Sequence, residues 1–399
     1  MALTEKFNIS HEMLKKYEKE ALDCFEKNKY RFKREYIALK CEEATLCREH
    51  KRLIFDFVSF AEKDEDIIKF MWLYYYLLFE TKECYLDNLW EGGVDDIPVP
   101  PVCEKKFPGA FKSVIYLLAS DHLSEFLKKN GLSAKYLKQY YEKYKGFAED
   151  NIVTHDTYGL CRLAPFMYAY AYPFIANIGR LTFEIRHFRD FCEVYENEKG
   201  ERVLIATPKY AYNQNGLRDD GGSKPAYILD GNTLIAHTFS DTGRLVMTPE
   251  RFDMTKLSLV FSEGDMVASI HIPRRGKLLP ELVEASIREA DKTIPKIFPR
   301  FKIKGYVCQT WLLDTQLRGV LKEGSNILKF QDKFDIVMLN DNKNHSLFDH
   351  IFNVKPTSLE NLVPGNDFQK KMLDRALRGE KIYWAYGILK KENKRNGCI

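Results

Sequence analysis

Residues 257–298 read LSLVFSEGDMVASIHIPRRGKLLPELVEASIREADKTIPKIF, and this stretch decides which fold the second half of the chain is expected to have. The apolar run LSLVF, the turn residues EGD and the alternating run MVASIHI predict two strands joined by a turn. The basic loop PRRGK follows, and after it apolar residues recur at helical spacing. Pro280 stands where the first helical turn would begin, and Pro295 is expected to end the helix.

A strand that leads through a basic glycine loop to a helix N-terminus can cradle a phosphate group. The first backbone N–H groups of a helix have no partner inside it, and the helix dipole favours an anion there. The loop here supplies Arg274, Arg275, Gly276 and Lys277. The alternative is a solvated surface turn, which such sequences form very often, so the motif alone does not identify a ligand.

The composition excludes several classes of protein. With 399 residues, 45% hydrophobic and 30% charged, the chain is expected to be globular, with two or three domains. A net charge of +4 is too balanced to predict nucleic-acid binding. The nine cysteines form no C-x-x-C pair, so no metal site is predicted, and without a signal sequence the expected location is the cytoplasm. The apolar runs at 70–79 and 164–178 are too short or too interrupted for a membrane span.

The spacing of apolar residues predicts an α+β protein. Helical spacing dominates up to about residue 150, whereas short alternating runs between turn residues follow from residue 181. We therefore expect an all-α N-terminal domain at 1–155 and a mixed α/β C-terminal domain at 156–399, in which 156–190 is a helical hinge. Finer predictions are strands at 181–194, 303–309, 326–330 and 334–338, and a helix at 311–321.

The C-terminal half resembles the GNAT-like C-terminal domain of a family of bacterial acyltransferases, in which a helical N-terminal domain precedes the GNAT-like one. The resemblance covers nearly the whole chain and is strongest from 179 to 340. The segments that carry it are GRLTFE at 179–184, HIP at 271–273 with Gly276, WLLDTQL at 311–317 and SNILKFQ at 325–331. Their order and spacing also match, and the resemblance implies transfer of an acyl group from acyl-CoA to an amine.

The resemblance also implies where acyl-CoA would bind. In GNAT enzymes a central strand parts from its neighbour, the pantetheine arm lies in the gap, and the pyrophosphate sits on the loop and helix that follow. Here the strand would be 266–272, its neighbour 303–309, and the thioester oxygen would face a backbone N–H near Ile270 and Ile272. The loop departs from the family pattern because no second glycine follows Gly276, and arginine and lysine charges would have to compensate.

Four side chains are candidates for the chemistry of amine acylation, which needs a base for the amine and an acid for the leaving thiolate. His271 is the candidate base, since histidine titrates near neutral pH. Glu184 could face the same cleft, Asp314 lies in the WLLD segment, and Tyr306 could protonate the thiolate. Each has a structural alternative: hydrogen bonding at a strand end, a surface carboxylate, a helix cap and sheet packing, respectively.

The leading hypothesis is thus an acyl-CoA-dependent N-acyltransferase whose amine acceptor binds between the two domains. A second hypothesis is a non-catalytic ligand-binding or regulatory protein on a degenerate GNAT-like fold, which the absent second glycine motivates. A third is a hydrolase that uses Asp314 and His271 as acid and base. The sequence identifies neither the acyl group, nor the acceptor, nor the oligomeric state.

Overall fold

The computed structural model describes residues 2–81, 97–160, 164–172, 174–189, 191–273, 276–299, 301–341, 348, 351–352 and 358–390. The chain divides into two compact units, Met1–Ala176 and Asn177–Ile399. The first is helical and the second contains the sheets, which confirms the α+β class. This division falls after the position expected from the sequence, and the domain limits 1–155 and 156–399 stay a prediction.

The described part of the first unit consists of helices and their connections. The helices are α1 (Leu3–Lys6), α2 (Glu12–Asp23), α3 (Phe25–Asn28), α4 (Arg34–Glu43), α5 (Arg48–Ala61), α6 (Glu65–Phe79), α7 (Pro101–Lys106), α8 (Ala110–Lys129), α9 (Lys135–His155) and α10 (Ala164–Ala171), with a 3-10 turn at Lys29–Phe32. Apolar residues lie on all sides of α6, and nearly all of its second half is buried. Such a helix belongs in a protein core, and the indole of Trp72 donates a hydrogen bond of 2.7 Å to the carbonyl of Ala21 on α2. Across the described ranges, no helix has the length and apolarity to cross a bilayer.

The second unit contains three sheets and three described α-helices. Its strands are β1 (Ile175–Ile178), whose first two residues precede the unit boundary, β2 (Leu181–His187), β3 (Cys192–Asn197), β4 (Arg202–Ala206), β5 (Tyr227–Asp230), β6 (Thr233–Ala236), β7 (Glu250–Asp253), β8 (Leu257–Phe261), β9 (Met266–His271), β10 (Tyr306–Thr310), β11 (Phe334–Asp341) and β12 (Tyr383–Leu389). The helices are α11 (Pro280–Ile297), α12 (Asn326–Gln331) and α13 (Asp367–Leu377). The main sheet has the order β1-β2-β9-β10-β12-β11, and the smaller sheets have the orders β4-β3-β8 and β5-β6-β7.

The register between β2 and β9 determines which side chains share a face of the main sheet. These strands are antiparallel, and Glu184 lies opposite Ser269 while Thr182 lies opposite His271. Because side chains alternate along a strand, these four residues project from one face. Phe183 projects from the other face, where its ring meets the ring of Tyr306 and where α11 packs against β2.

The parallel strands β9 and β10 pair over only part of their length. The paired residues are Ala268 with Tyr306 and Ser269 with Val307. Beyond them, β9 remains paired with β2 and β10 remains paired with β12. A gap therefore opens between the carboxyl ends of β9 and β10, where the resemblance to GNAT enzymes led us to expect it.

A small sheet covers part of the face that carries Glu184. One buried apolar cluster joins the small sheet to the main sheet. It contains Phe188 from the connection after β2, Val194 of β3 and Phe261 of β8, together with Val267 and Tyr386 of the main sheet. The cluster covers the amino-terminal half of β9 but includes neither Ser269 nor His271, so the carboxyl end of β9 lies beyond it.

Several finer predictions were wrong. Residues 326–330, predicted as a strand, form part of α12, because the hydroxyl of Ser325 accepts a hydrogen bond of 3.4 Å from the N–H of Leu328 and caps a helix there. The predicted helix at 311–321 is instead two 3-10 turns, Trp311–Leu313 and Thr315–Gly319. Pro295 does not end α11, which continues to Ile297, since a proline removes only one backbone donor near the end of a helix.

Candidate active site

Two of the four predicted catalytic side chains meet on the open face of the main sheet. Nε2 of His271, the last residue of β9, lies 2.5 Å from Oε2 of Glu184 on β2. Glu184 is 4% exposed, whereas the His271 side chain is 40% exposed. The buried carboxylate thus holds an imidazole whose other edge can reach solvent or a ligand.

The environment of Glu184 determines which imidazole nitrogen is basic. Burial alone would raise the pKa of this carboxyl, but the hydrogen bond and charge of His271, with the charges of Arg186 and Arg189, outweigh it and lower the pKa. Glu184 is therefore ionised at neutral pH and can only accept a hydrogen bond. Nε2 must donate to it, which leaves the lone pair of His271 on Nδ1.

Arg180 organises the loop that follows β9. Its Nη2 donates to the carbonyls of Pro273 and Gly276, each at 2.9 Å, and its Nε donates to the carbonyl of Lys277 at 3.0 Å. The backbone N–H of Arg180 donates to the hydroxyl of Ser286 on α11 at 2.7 Å. Arg180 thus joins the loop through its side chain to the start of β2, and its backbone N–H joins that point to the helix behind it.

Because Arg180 binds carbonyls of the loop, the N–H groups of the same peptides point away from Arg180. In a trans peptide the carbonyl and the N–H point in opposite directions. The carbonyls of Gly276 and Lys277 point at Arg180, so the N–H groups of Lys277 and Leu278 point away from it. Within the described ranges these two N–H groups donate to no backbone acceptor, and they lie just before the N-terminus of α11. Together they form a site suited to an anion.

Two glycines make the close approach of loop and helix possible. Gly179 has a φ of +61°, and a Cβ there would lie 2.5 Å from the hydroxyl oxygen of Ser286. Gly276 has a φ of +92°, a region that other residues rarely adopt. Of the remaining residues predicted to bind the cofactor, Arg274 and Arg275 lie outside the described residues.

The backbone near Ile270 and Ile272 faces the gap between β9 and β10. The N–H of Ala268 donates to Gly305, and the carbonyl of Met266 accepts from Lys304, so the even-numbered residues of β9 turn their backbone groups toward β10. Past the last paired residues, this alternation directs the carbonyl of Ile270 and the N–H of Ile272 into the gap. The side chain of Ile270 is buried on the opposite face from Glu184.

Asp314 lies in a structural network of its own. Its Oδ1 accepts 2.9 Å from the N–H of Gln316 and its Oδ2 accepts 2.9 Å from the N–H of Tyr383. Burial raises the pKa of this 1% exposed carboxyl, and the two backbone donors oppose that effect. The structure thus gives His271 a different carboxylate partner, Glu184, and a catalytic role for Asp314 stays a prediction.

Tyr306 is not brought together with His271. Its hydroxyl donates 2.7 Å to Oδ1 of Asp291 on α11, and its ring packs edge-on against Phe183. Tyr306 therefore lies on the face opposite Glu184. Burial, with the hydrogen bond and charge of Asp291, raises its pKa. Its role as an acid stays a prediction.

Sequence reasoning missed the residues that support the site. Arg180 was visible as part of the GRLTFE segment, but nothing in the sequence indicated that it would bind carbonyls almost one hundred residues away. No group of three or more metal-ligating side chains occurs among the residues that the structure describes.

Solved structures of acyltransferases share this fold. An acyltransferase in complex with decanoyl-CoA superimposes with a TM-score of 0.59 at 13% identity, covering 89% of this chain and 88% of that chain. The complex of an acyltransferase with decanoyl-CoA and teicoplanin gives a TM-score of 0.58 at 13% identity and the same coverage. A mutant acyltransferase with octanoyl-CoA gives 0.57 at 14% identity, covering 88% and 86%. At such identities the likeness shows the fold alone.

Sequence comparison identifies the family. No curated protein matches the chain at a significant level. The family model for the GNAT-like C-terminal domain matches residues 175–389, which is more than half of the 399 residues and includes every strand from β1 to β12. This chain therefore belongs to the family of proteins with a GNAT-like C-terminal domain.

Proposed function

We propose that this protein is an acyl-CoA-dependent N-acyltransferase, which moves an acyl group from a CoA thioester to an amine. The observation that carries the proposal is the gap between β9 and β10, with the anion-binding loop at one end and the Glu184–His271 pair beside it. Membership of the GNAT-like family and the acyl-CoA held by structures of the same fold support it.

The donor would lie across the carboxyl ends of β9 and β10. A pantetheine amide N–H would donate to the carbonyl of Ile270, which the gap leaves without a strand partner, and the N–H of Ile272 would face the thioester oxygen. Its pyrophosphate would bind the N–H groups of Lys277 and Leu278 at the start of α11, where the helix dipole adds to the attraction. Arg180 would hold these groups in position from behind the loop.

The chemistry requires one proton acceptor. The amine nitrogen attacks the thioester carbonyl carbon, its proton passes to Nδ1 of His271, and the C–S bond breaks. The charge that develops on the carbonyl oxygen would be stabilised by the N–H of Ile272. A thiol titrates near pH 8.5, so the CoA thiolate can take its proton from solvent at neutral pH. Glu184 keeps the imidazole in the tautomer that accepts the proton.

The first test is calorimetric titration of the full chain with CoA, acetyl-CoA and decanoyl-CoA, and a thermal shift on the same samples. A ligand at one hundred times its Kd should stabilise the protein by about 2.7 kcal/mol. If none of the three binds, the proposal is wrong.

The second test separates an enzyme from a binding protein. Release of free CoA thiol is followed with decanoyl-CoA and a panel of primary amines, for wild type and His271→Gln. General base catalysis contributes roughly 10²- to 10⁴-fold, so the variant should lose that much turnover while its Kd for CoA stays within twofold of wild type. Donor binding without amine-dependent thiol release would instead support a non-catalytic ligand-binding protein.

A further inference from the structure

We propose that the face beside Glu184 and His271 contains a carboxylate-binding site formed by Arg186, Arg189 and Tyr386. The site deepens the proposed function and rests on it, because it makes the acceptor an amine that also carries a carboxylate.

The register places these residues together. Arg186 lies two residues after Glu184 on β2 and projects from the same face, opposite Val267. Two residues along a strand span about 7 Å. Tyr386, on β12, belongs to the same buried cluster as Val267. The ring centroid of Tyr386 lies 5.9 Å from that of Phe188, the residue between β2 and Arg189.

Two buried donors of this set have no hydrogen-bond partner in the part of the chain that the structure describes. The Nε of Arg186 and the hydroxyl of Tyr386 are buried and have no hydrogen-bond partner, and Tyr386 is 1% exposed. In the ranges that the structure describes, neither Arg186 nor Arg189 forms an ion pair or donates a hydrogen bond. Buried polar groups are nearly always hydrogen-bonded, so the two buried donors without a partner, beside the exposed Arg189, indicate a ligand that accepts from them.

The electrostatics favours an anion. Burial lowers the pKa of Arg189, and the neighbouring positive charge of Arg186 lowers it further, so the two guanidinium groups repel each other. Burial raises the pKa of Tyr386 although both arginines oppose the shift, and its hydroxyl therefore remains a donor at neutral pH. The two guanidinium charges exceed the single charge of Glu184, which leaves this face positive.

A carboxylate matches this set of donors. Its two oxygens accept about four hydrogen bonds in one plane, which suits the fork of a guanidinium. Although nearby protein partly desolvates Arg189, the residue as a whole is exposed and can be reached from solvent, whereas the Tyr386 hydroxyl lies at the buried end. With the carboxylate there, an amine on the same molecule could extend along β2 past Glu184 toward Nδ1 of His271, which lies opposite Thr182, about 13 Å along the strand from Arg186.

The experiment uses the full chain labelled with ¹³Cζ-tyrosine, in which Tyr386→Phe identifies the Tyr386 resonance. Acetate, its neutral analogue acetamide and inorganic phosphate are titrated at constant ionic strength. We expect a saturable shift with acetate, no saturable shift with acetamide, and at least tenfold weaker acetate binding in the Arg186→Gln/Arg189→Gln double variant. The control is Arg288→Gln on the exposed side of α11, which should bind acetate like wild type.

Three results would overturn the inference: no saturable response to acetate, an equal response to acetamide, or acetate binding that survives in the double variant. Tighter binding of phosphate than of acetate would also overturn the carboxylate assignment. CoA titration of the double variant keeps the two proposals separate, since donor binding should be within twofold of wild type whether or not the carboxylate site exists.

Discussion

The strongest test of the donor site is Arg180→Gln, because one side chain holds three loop carbonyls. The bond to Pro273 is partly buried, whereas those to Gly276 and Lys277 are exposed to competing water. A hydrogen bond from a charged donor contributes about 1.5–3 kcal/mol when water is excluded, and an exposed one much less. We therefore expect the variant to lose about 2 kcal/mol of loop ordering.

If the ordered loop is the form that binds pyrophosphate, the free energy lost in ordering the loop weakens the binding of CoA by the same amount. About 2 kcal/mol corresponds to a roughly 30-fold weaker Kd for CoA at 25 °C. Calorimetric titration measures it, and a cooperative melting transition verifies that the variant is folded. Arg288→Gln on α11 removes the same side chain from an exposed position and should leave the Kd unchanged.

Arg180→Lys separates geometry from charge. Lysine keeps the positive charge but lacks the planar fork that reaches several acceptors at once. If Arg180 shapes the loop, this variant should bind CoA nearly as weakly as Arg180→Gln. Full recovery of affinity by lysine would mean that only the charge matters, and an unchanged Kd in Arg180→Gln would refute the reasoning altogether.

Three further predictions follow from other contacts. The pKa of Glu184 is lowered in the folded protein, so its ionised form stabilises the fold. This stabilisation should be complete above the ordinary glutamate pKa of about 4.3 and should disappear as the pH falls through the lower pKa of the folded state. Urea unfolding of wild type and Glu184→Gln measures it. Gly179→Ala should destabilise the protein by about 1–3 kcal/mol through its positive φ and its contact with Ser286, and Ser286→Gly should recover part of the melting temperature. Burial lowers the pKa of His50 from 6.5 to about 4, so protonation should cost up to about 3 kcal/mol of stability as the pH falls from 6.5 to 4. In His50→Phe the loss of stability over this pH range, measured by urea unfolding, should be smaller by that amount, and the rest should remain because burial lowers the pKa of His122 to about 4 as well.

The sequence predicted elements better than it predicted their contacts. The sequence could predict the helical first half, and the strand, loop and helix around Pro280, because apolar periodicity and proline position are local signals. The short helix α12 was mistaken for a strand because its few apolar residues fit either period, although the capping serine Ser325 was a usable signal.

The contacts of the candidate active site could be predicted even less well from the sequence. Glu184 and His271 could each be proposed from residue type, but their pairing depends on the register of strands 87 residues apart. The role of Arg180 depends on carbonyl directions in a distant loop, which side-chain patterns do not reveal. Asp314 was a plausible acid by type, yet its two backbone hydrogen bonds resemble those of an ordinary capping residue.

The gap between β9 and β10 also bears on how this protein avoids aggregation. Unpaired strand backbone at the rim of a sheet is a template that any other chain can extend. Here the unpaired backbone lies inside the sheet, because β2 and β12 still occupy the outer sides of β9 and β10. A second protein molecule would have to insert within the sheet, whereas a thin, flexible amide chain could enter from its end. The fold can thus keep backbone hydrogen-bonding groups available to a small ligand without offering another polypeptide an edge to join.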